Sequence, residues 1–279
     1  MITRIFNFFL FSSLYIALCA VLMVQQTNQL LNLQYNSSFL LFFVFFSTLC
    51  SYNLHWYLTP FATSEKIRSQ WTQRHRITHI SLICIGLLGS AWFFFTLIDH
   101  WIWIAPSAVL TFLYSAPKFP HPIFRHLKKV AIGKTIFLSF VWMYVTTALP
   151  VLLSGKAWGG MELLFCASRF FLIYAICILF DYRDREQDKQ EGIRSMITYF
   201  SSRGVDFLFI ISLLVFVLAT IALSFYGVTL LVILALLIPG LVTGLLYRTA
   251  KINHSDYLYY FVLDGLMMFS SMITVFLPI

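Results

Sequence analysis

Asp181, Asp184 and Asp188 stand within FDYRDREQDKQEGIRS, residues 180–195, which holds five acids and four bases in a chain that is otherwise 60% hydrophobic. If the preceding apolar run continues as a helix, the three aspartates fall at i, i+3 and i+7 and share one face. Like charges stacked in that way repel, and a divalent cation would remove the repulsion. Mg2+ suits such a site, because it takes oxygen ligands and binds through one or two carboxylates together with substrate phosphates. The competing reading is a solvated loop in which Arg183, Arg185, Lys189 and Arg194 nearly neutralise the acids.

Other polar residues reach the same depth. LYSAPKFPHPIFRHLKKV brings Tyr114, Lys118, Arg125, Lys128 and Lys129 to the end of an apolar run. Lysine and arginine there can take phosphate oxygens, arginine by paired contacts. A plain basic loop is the alternative. CSYNLHWYL places Asn53 and His55 near that surface, and a polar residue inside an apolar run is either a site residue or a hydrogen-bonded core group. Arg169 and Asp264 lie deeper, and their burial cost predicts an ion pair between them.

The elements that must position these groups are membrane helices. Only 11% of the 279 residues are charged, against about 25% in an ordinary soluble domain. Mean hydropathy is +0.83. The reading is one all-α integral membrane domain over 1–279. Apolar runs near the ~20 residues needed to cross a bilayer occur at 5–24, 38–58, 77–97, 101–116, 131–153, 161–180, 205–223, 227–247 and 257–278. The first is longer than a signal-peptide core and precedes no small-residue cleavage site, so it reads as a retained span.

Basic residues test that count. Of 19 Lys and Arg, Lys156 alone falls in an odd-numbered connection, Arg169 lies within a span, and the rest flank the amino terminus or the even-numbered connections. The positive-inside rule then predicts nine spans, a cytoplasmic amino terminus and an outward carboxyl terminus. The net charge of +8 is a product of this topology, which places the basic loops against anionic membrane lipid and calls for no nucleic-acid partner. Five cysteines all sit in apolar runs without a C-x-x-C pair, reading as buried thiols.

The segment DREQDKQEGIRS resembles the second aspartate motif of the UbiA superfamily of membrane prenyltransferases, D-x-x-x-D-x-x-x-G followed by a basic residue and Ser/Thr. Asp184, Asp188, Gly192, Arg194 and Ser195 fall on those positions, and LYSAPKFPHPIFRHLKK is similar to the segment after the family's fourth span. The resemblance implies a nine-helix bundle in a bacterial plasma (inner) membrane. It also implies Mg2+-assisted transfer from an isoprenyl diphosphate to a lipid-soluble acceptor, aromatic or lipid. Asp184 and Asp188, with Asp181 beside them, would hold metal. Asn53, His55, Tyr114, Lys118, Arg125 and Lys128 would hold substrate. The family's first motif, N-D-x-x-D-x-x-x-D, aligns through Asn53, which puts Leu54, Tyr57 and Phe61 where aspartates belong and leaves Glu65 as the next acid. That departure keeps open a non-catalytic protein of the same fold that binds an isoprenoid lipid or a partner, and one acting on a different lipid.

Overall fold

The nine apolar runs give eleven helices among the described residues, the extra two arising from a break in the first run and a short polar helix after the second. The structure, a computed structural model, describes residues 2–59, 67–118, 133–190 and 199–277, with Pro117 and residues 186–190 as backbone only. The helices are α1 (Ile2–Phe11), α2 (Leu14–Leu30), α3 (Ser37–Tyr57), α4 (Ile67–Arg74), α5 (Arg76–Thr96) and α6 (Trp101–Ser115). They continue as α7 (Lys134–Ser154), α8 (Gly160–Gln190), α9 (Ser202–Ala222), α10 (Leu230–Ile252) and α11 (Leu258–Thr274).

The unbroken first span expected over 5–24 is corrected. Ser13 takes a left-handed conformation, with φ 65°, and α1 meets α2 at 60°. A right-handed helix cannot run through such a residue. The break frees the Ser12 carbonyl, which accepts the Asn53 side-chain amide at 2.9 Å. Six helices (α3, α5, α7, α8, α9 and α10) are long and apolar enough to cross a membrane, or seven crossings if α1 and α2 form one. Helix α6 has 15 residues with Pro106 inside it, and α11 is also short, so length and composition alone stop below nine crossings.

Neighbour contacts run α2–α3–α6–α7–α8–α9–α10–α11 and return to α2, closing a ring, with α5 packed outside α3. Two glycines make that outer contact close. A Cβ on Gly86 would sit 2.7 Å from the Cys50 nitrogen and 2.8 Å from the Phe46 carbonyl of α3. The opposite face of α5, with Ile77, Leu88, Trp92 and Phe95, is exposed, as a lipid-facing surface requires. Inside the ring, Ile173, Ile176 and Leu179 of α8 are fully covered, alongside Met23 of α2 and Tyr259 and Leu263 of α11.

Lipid is as apolar as leucine, so packing and interhelical hydrogen bonds do most of the work of association. Thr27 donates to the Thr146 carbonyl at 2.6 Å, Ser168 and Thr220 share a bond of 2.7 Å, and Gln26 donates to Ser270 and Thr274 at 3.2 and 3.0 Å. The expected Arg169–Asp264 pair does not form. The Arg169 Nη2 donates to Gln26 Oε1 at 2.8 Å and the Met23 carbonyl at 3.4 Å, so neutral oxygens take that nitrogen, while Nη1 has no hydrogen-bond partner. The cations acting on Asp264 are instead Arg68 and Arg183.

Alternation of helix direction collects the basic segments at one end of the ring. There the last turns of α3, α6, α8 and α10 meet α4 and the first turns of α7 and α11. Helix α8 stays helical through Gln190, so Asp181, Asp184 and Asp188 do stand at i, i+3 and i+7 on one continuous helix.

Candidate active site at the basic end

Helix α3 is apolar nearly all round, and its contacts reveal which face turns inward. His55 stacks on Tyr114 of α6, with ring centroids 5.1 Å apart and an interplanar angle of 15°. Just beyond α6, Lys118 Nζ lies 2.6 Å from His55 Nε2 and 2.5 Å from Thr59 Oγ1. An ammonium can only donate, so Nε2 is the acceptor and this arrangement assigns the imidazole proton to Nδ1. Tyr52, one turn earlier, receives the Trp142 indole N–H at 3.0 Å. Positions 52, 55, 56 and 59 therefore form the inward face. Of the expected substrate residues, the structure brings His55, Tyr114 and Lys118 together.

Asn53 points elsewhere. It is fully buried, donates to the Ser12 and Leu49 carbonyls at 2.9 and 2.8 Å, and meets His79 Nδ1 at 2.7 Å. It braces the α1–α2 break against α5. Tyr57 also faces α5, where the Arg76 guanidinium lies 4.8 Å from its ring centre. The register that puts the first motif on Asn53, Leu54 and Tyr57 thus runs along the back of α3, because 54 and 57 lie nearly opposite 52, 55, 56 and 59 at 100° per residue. Phe61, Glu65, Arg125, Lys128, Lys129, Gly192, Arg194 and Ser195 lie outside the described residues, as does the side chain of Asp188.

On α8, Asp181 accepts the hydroxyl of Thr135 from α7. Asp184 pairs with Arg183, whose Nε lies 3.0 Å from Oδ1. The Arg183 guanidinium is 8% exposed and lies over three rings, at 5.1 Å from Phe180, 4.9 Å from Tyr259 and 4.7 Å from Tyr260.

A second buried guanidinium reaches the same ring. Arg68 of α4 is 4% exposed and lies 4.0 Å from the Trp56 ring centre and 4.3 Å from that of Tyr260. Its main-chain N–H donates to Asp256 Oδ2 at 2.8 Å. Burial is the main influence on its titration and pulls the guanidinium down to about 10, which leaves it charged at neutral pH. Sequence reasoning missed Arg68 as a site residue, since in a basic loop it looks like its neighbours Lys66, Arg74 and Arg76. Its only distinguishing mark is the set of aromatic residues it meets, Trp56, Tyr260 and, at 5.8 Å, Phe11, and those come from three other helices.

The donor set decides what metal could be held. The inward face of α3 offers a phenol, an imidazole, an indole and a hydroxyl, and no carboxylate, so it does not fit Mg2+. Among the described residues no three His, Cys, Asp or Glu groups converge. The α8 side is different: Asp184 and, one turn on, Asp188 have the chemistry that one Mg2+ with a phosphate ligand requires. The end as a whole combines cations (Arg68, Lys118, Arg183) with aromatic faces (Trp56, Tyr114, Tyr260). That suits an anionic head group joined to an apolar tail.

Comparison with known proteins agrees with this geometry. The pattern of the UbiA prenyltransferase family matches residues 67–261. Among solved structures, the chain is similar to an apo structure of a UbiA homolog from Aeropyrum pernix K1, with a TM-score of 0.62 and 15% identity over 95% of this chain and 99% of that one. No curated protein matches.

Proposed function

Because the chain belongs to the UbiA prenyltransferase family, we propose that it moves an isoprenyl group from an isoprenyl diphosphate to a lipid-soluble acceptor at its basic end. The observation that carries this reading is the meeting of Lys118, Arg68 and Arg183 with the rings of Trp56, Tyr114 and Tyr260 beside Asp184. In this reading the ring makes nine crossings within one integral domain, α1–α2 counting as one and α6 and α11 as short ones. The basic end faces the cytoplasm of a bacterial plasma membrane.

The chemistry follows from charge. The allylic C–O bond breaks, its electron pair leaves with the diphosphate, and a carbocation remains. An acceptor atom then forms the new bond and gives up a proton. Lys118, fixed by His55 and Thr59, supplies positive charge where the leaving group gains negative charge. The rings of Trp56 and Tyr260 carry Arg68, and Tyr114 stacks on His55, so aromatic faces brace the basic groups that meet the leaving group. Mg2+ held by Asp184 and Asp188 would add further charge neutralisation on the diphosphate.

The test is release of inorganic diphosphate from farnesyl or geranylgeranyl diphosphate by the purified protein with Mg2+ and a membrane lipid extract, followed by mass analysis of prenylated products. Product formation that fails when Asp184 and Asp188 are both changed to Asn supports the transferase. Tight binding without release, in folded protein and with any extract, would instead establish the non-catalytic binder, the reading favoured by the carboxylate-free inward face of α3.

A further inference from the structure

We propose that the diphosphate group is gripped on the α3–α4 side by the Arg68 guanidinium, with Arg183 beside it, so that donor binding keeps a large component needing no divalent metal. This rests on the transferase reading and specifies how that site recognises its anion.

Four observations converge. First, among the described residues the inward face of α3 (Tyr52, His55, Trp56, Thr59) carries no carboxylate, so α3 itself offers a metal no ligand of that kind. Second, Arg68 is 4% exposed, yet its Nε and Nη2 have no hydrogen-bond partner. Burying a charged group with open N–H bonds is costly unless something completes it. The acid that touches Arg68, Asp256, spends Oδ2 on the Arg68 main chain, while its Oδ1 also stays unpartnered.

Third, Trp56 and Tyr260 lie within 4.0 and 4.3 Å of the Arg68 guanidinium carbon. Contact through ring faces anchors the cation without using its N–H edge, and that edge is what a phosphate engages with two parallel bonds. Fourth, Arg183 shares the Tyr260 ring at 4.7 Å and keeps Nη1 unpartnered, although Asp184 holds its other side. Two guanidinium groups on one ring repel each other, and a polyanion bound to both removes that repulsion. Asp184 beside Arg183 and Asp264 near both offset part of this charge, yet Nε and Nη2 of Arg68 and Nη1 of Arg183 stay open.

The test uses the full chain in lipid nanodiscs, with EDTA throughout the first arm. Inorganic pyrophosphate and geranylgeranyl thiodiphosphate are titrated into the wild type, R68K and R68Q. In parallel, arginines of the wild type are modified with phenylglyoxal, with and without pyrophosphate, and mapped by peptide mass. Expected are binding of both probes in EDTA, a loss of about tenfold to a hundredfold in R68Q, an intermediate loss in R68K, and protection of Arg68 from phenylglyoxal. The mapping decides the matter even if R68Q does not fold. Thiodiphosphate binding that requires Mg2+ and ignores Arg68 overturns this proposal and leaves the transferase reading standing. Pyrophosphate binding as tightly as the prenyl compound, with both dependent on Arg68, supports the anion grip while removing the prenyl donor from the functional reading.

Discussion

Arg169 and Arg68 are each 4% exposed and each lies over aromatic surface, but the protein takes their N–H bonds to different extents. Arg169, in the first half of α8, has Nη2 bonded to Gln26 Oε1 at 2.8 Å and one nitrogen, Nη1, unpartnered, and Ser270 and Thr274 of α11 in turn hold Gln26. Arg68, at the basic end, lies among ring faces and leaves two of its nitrogens unpartnered. In the first case two oxygens of α2 bond the charge, and α11 holds one of them through Gln26, which makes it a structural tie. In the second, aromatic surface supports the charge and leaves its hydrogen-bonding capacity for something else. Burial alone therefore does not separate a structural cation from a binding one. The destination of the N–H bonds does.

Four variants break or sharpen that contrast. The largest effect is expected from Asp184→Asn with Asp188→Asn: diphosphate release falls by about 10²–10³, the scale typical of removing charge stabilisation from a reacting centre. Pyrophosphate binding in EDTA should survive it, because Arg68 is untouched. Arg169→Met removes the tie to Gln26, and leaving that buried group partly unsatisfied costs about 1–3 kcal/mol of stability. Its signature is a lowered unfolding midpoint with unchanged pyrophosphate affinity in the folded fraction, the reverse of the pattern expected at Arg68.

Asn53→Leu should behave as Arg169→Met does, with a loss of about 1–3 kcal/mol, since the Ser12 carbonyl and His79 lose their partner. Altered Mg2+ dependence in that variant would return Asn53 to the site. The smallest effect belongs to Leu54→Asp with Tyr57→Asp. Both side chains leave the back of α3, one of them toward Arg76, so the Mg2+ response in the thiodiphosphate titration should not change. A gain in Mg2+ affinity would show that the inward face of α3 has been misplaced.

Much of the fold was legible in the sequence because hydropathy and loop charge report the same alternation independently. Each apolar run became helical, and the continuation of the sixth run through the aspartates came out as the spacing implied. The kink at Ser13 was hidden, since hydropathy averages over residues and carries no information on a backbone angle. His55, Tyr114 and Lys118 could be singled out because polar groups at one depth in an apolar chain are conspicuous. The rotation of α3 could not. With lipid, α5 and the ring interior all apolar, its sequence has little polar face to mark which side turns in. For the same reason Asn53 looked like a site residue and Arg68 like one more loop cation.

The clasp between Gln26 and α11 joins residues 244 and 248 positions apart. Its consequence concerns biogenesis. A nascent chain cannot close the ring until α11 has emerged from the ribosome and entered the bilayer, so through most of synthesis α2 has no partner on its α11 side and Gln26 lacks Ser270 and Thr274. Thiol access gives a direct readout. Cys19 of α2, fully buried in the complete bundle, should react with a membrane-permeant maleimide in chains stalled before Leu258 and be shielded once Thr274 has been inserted.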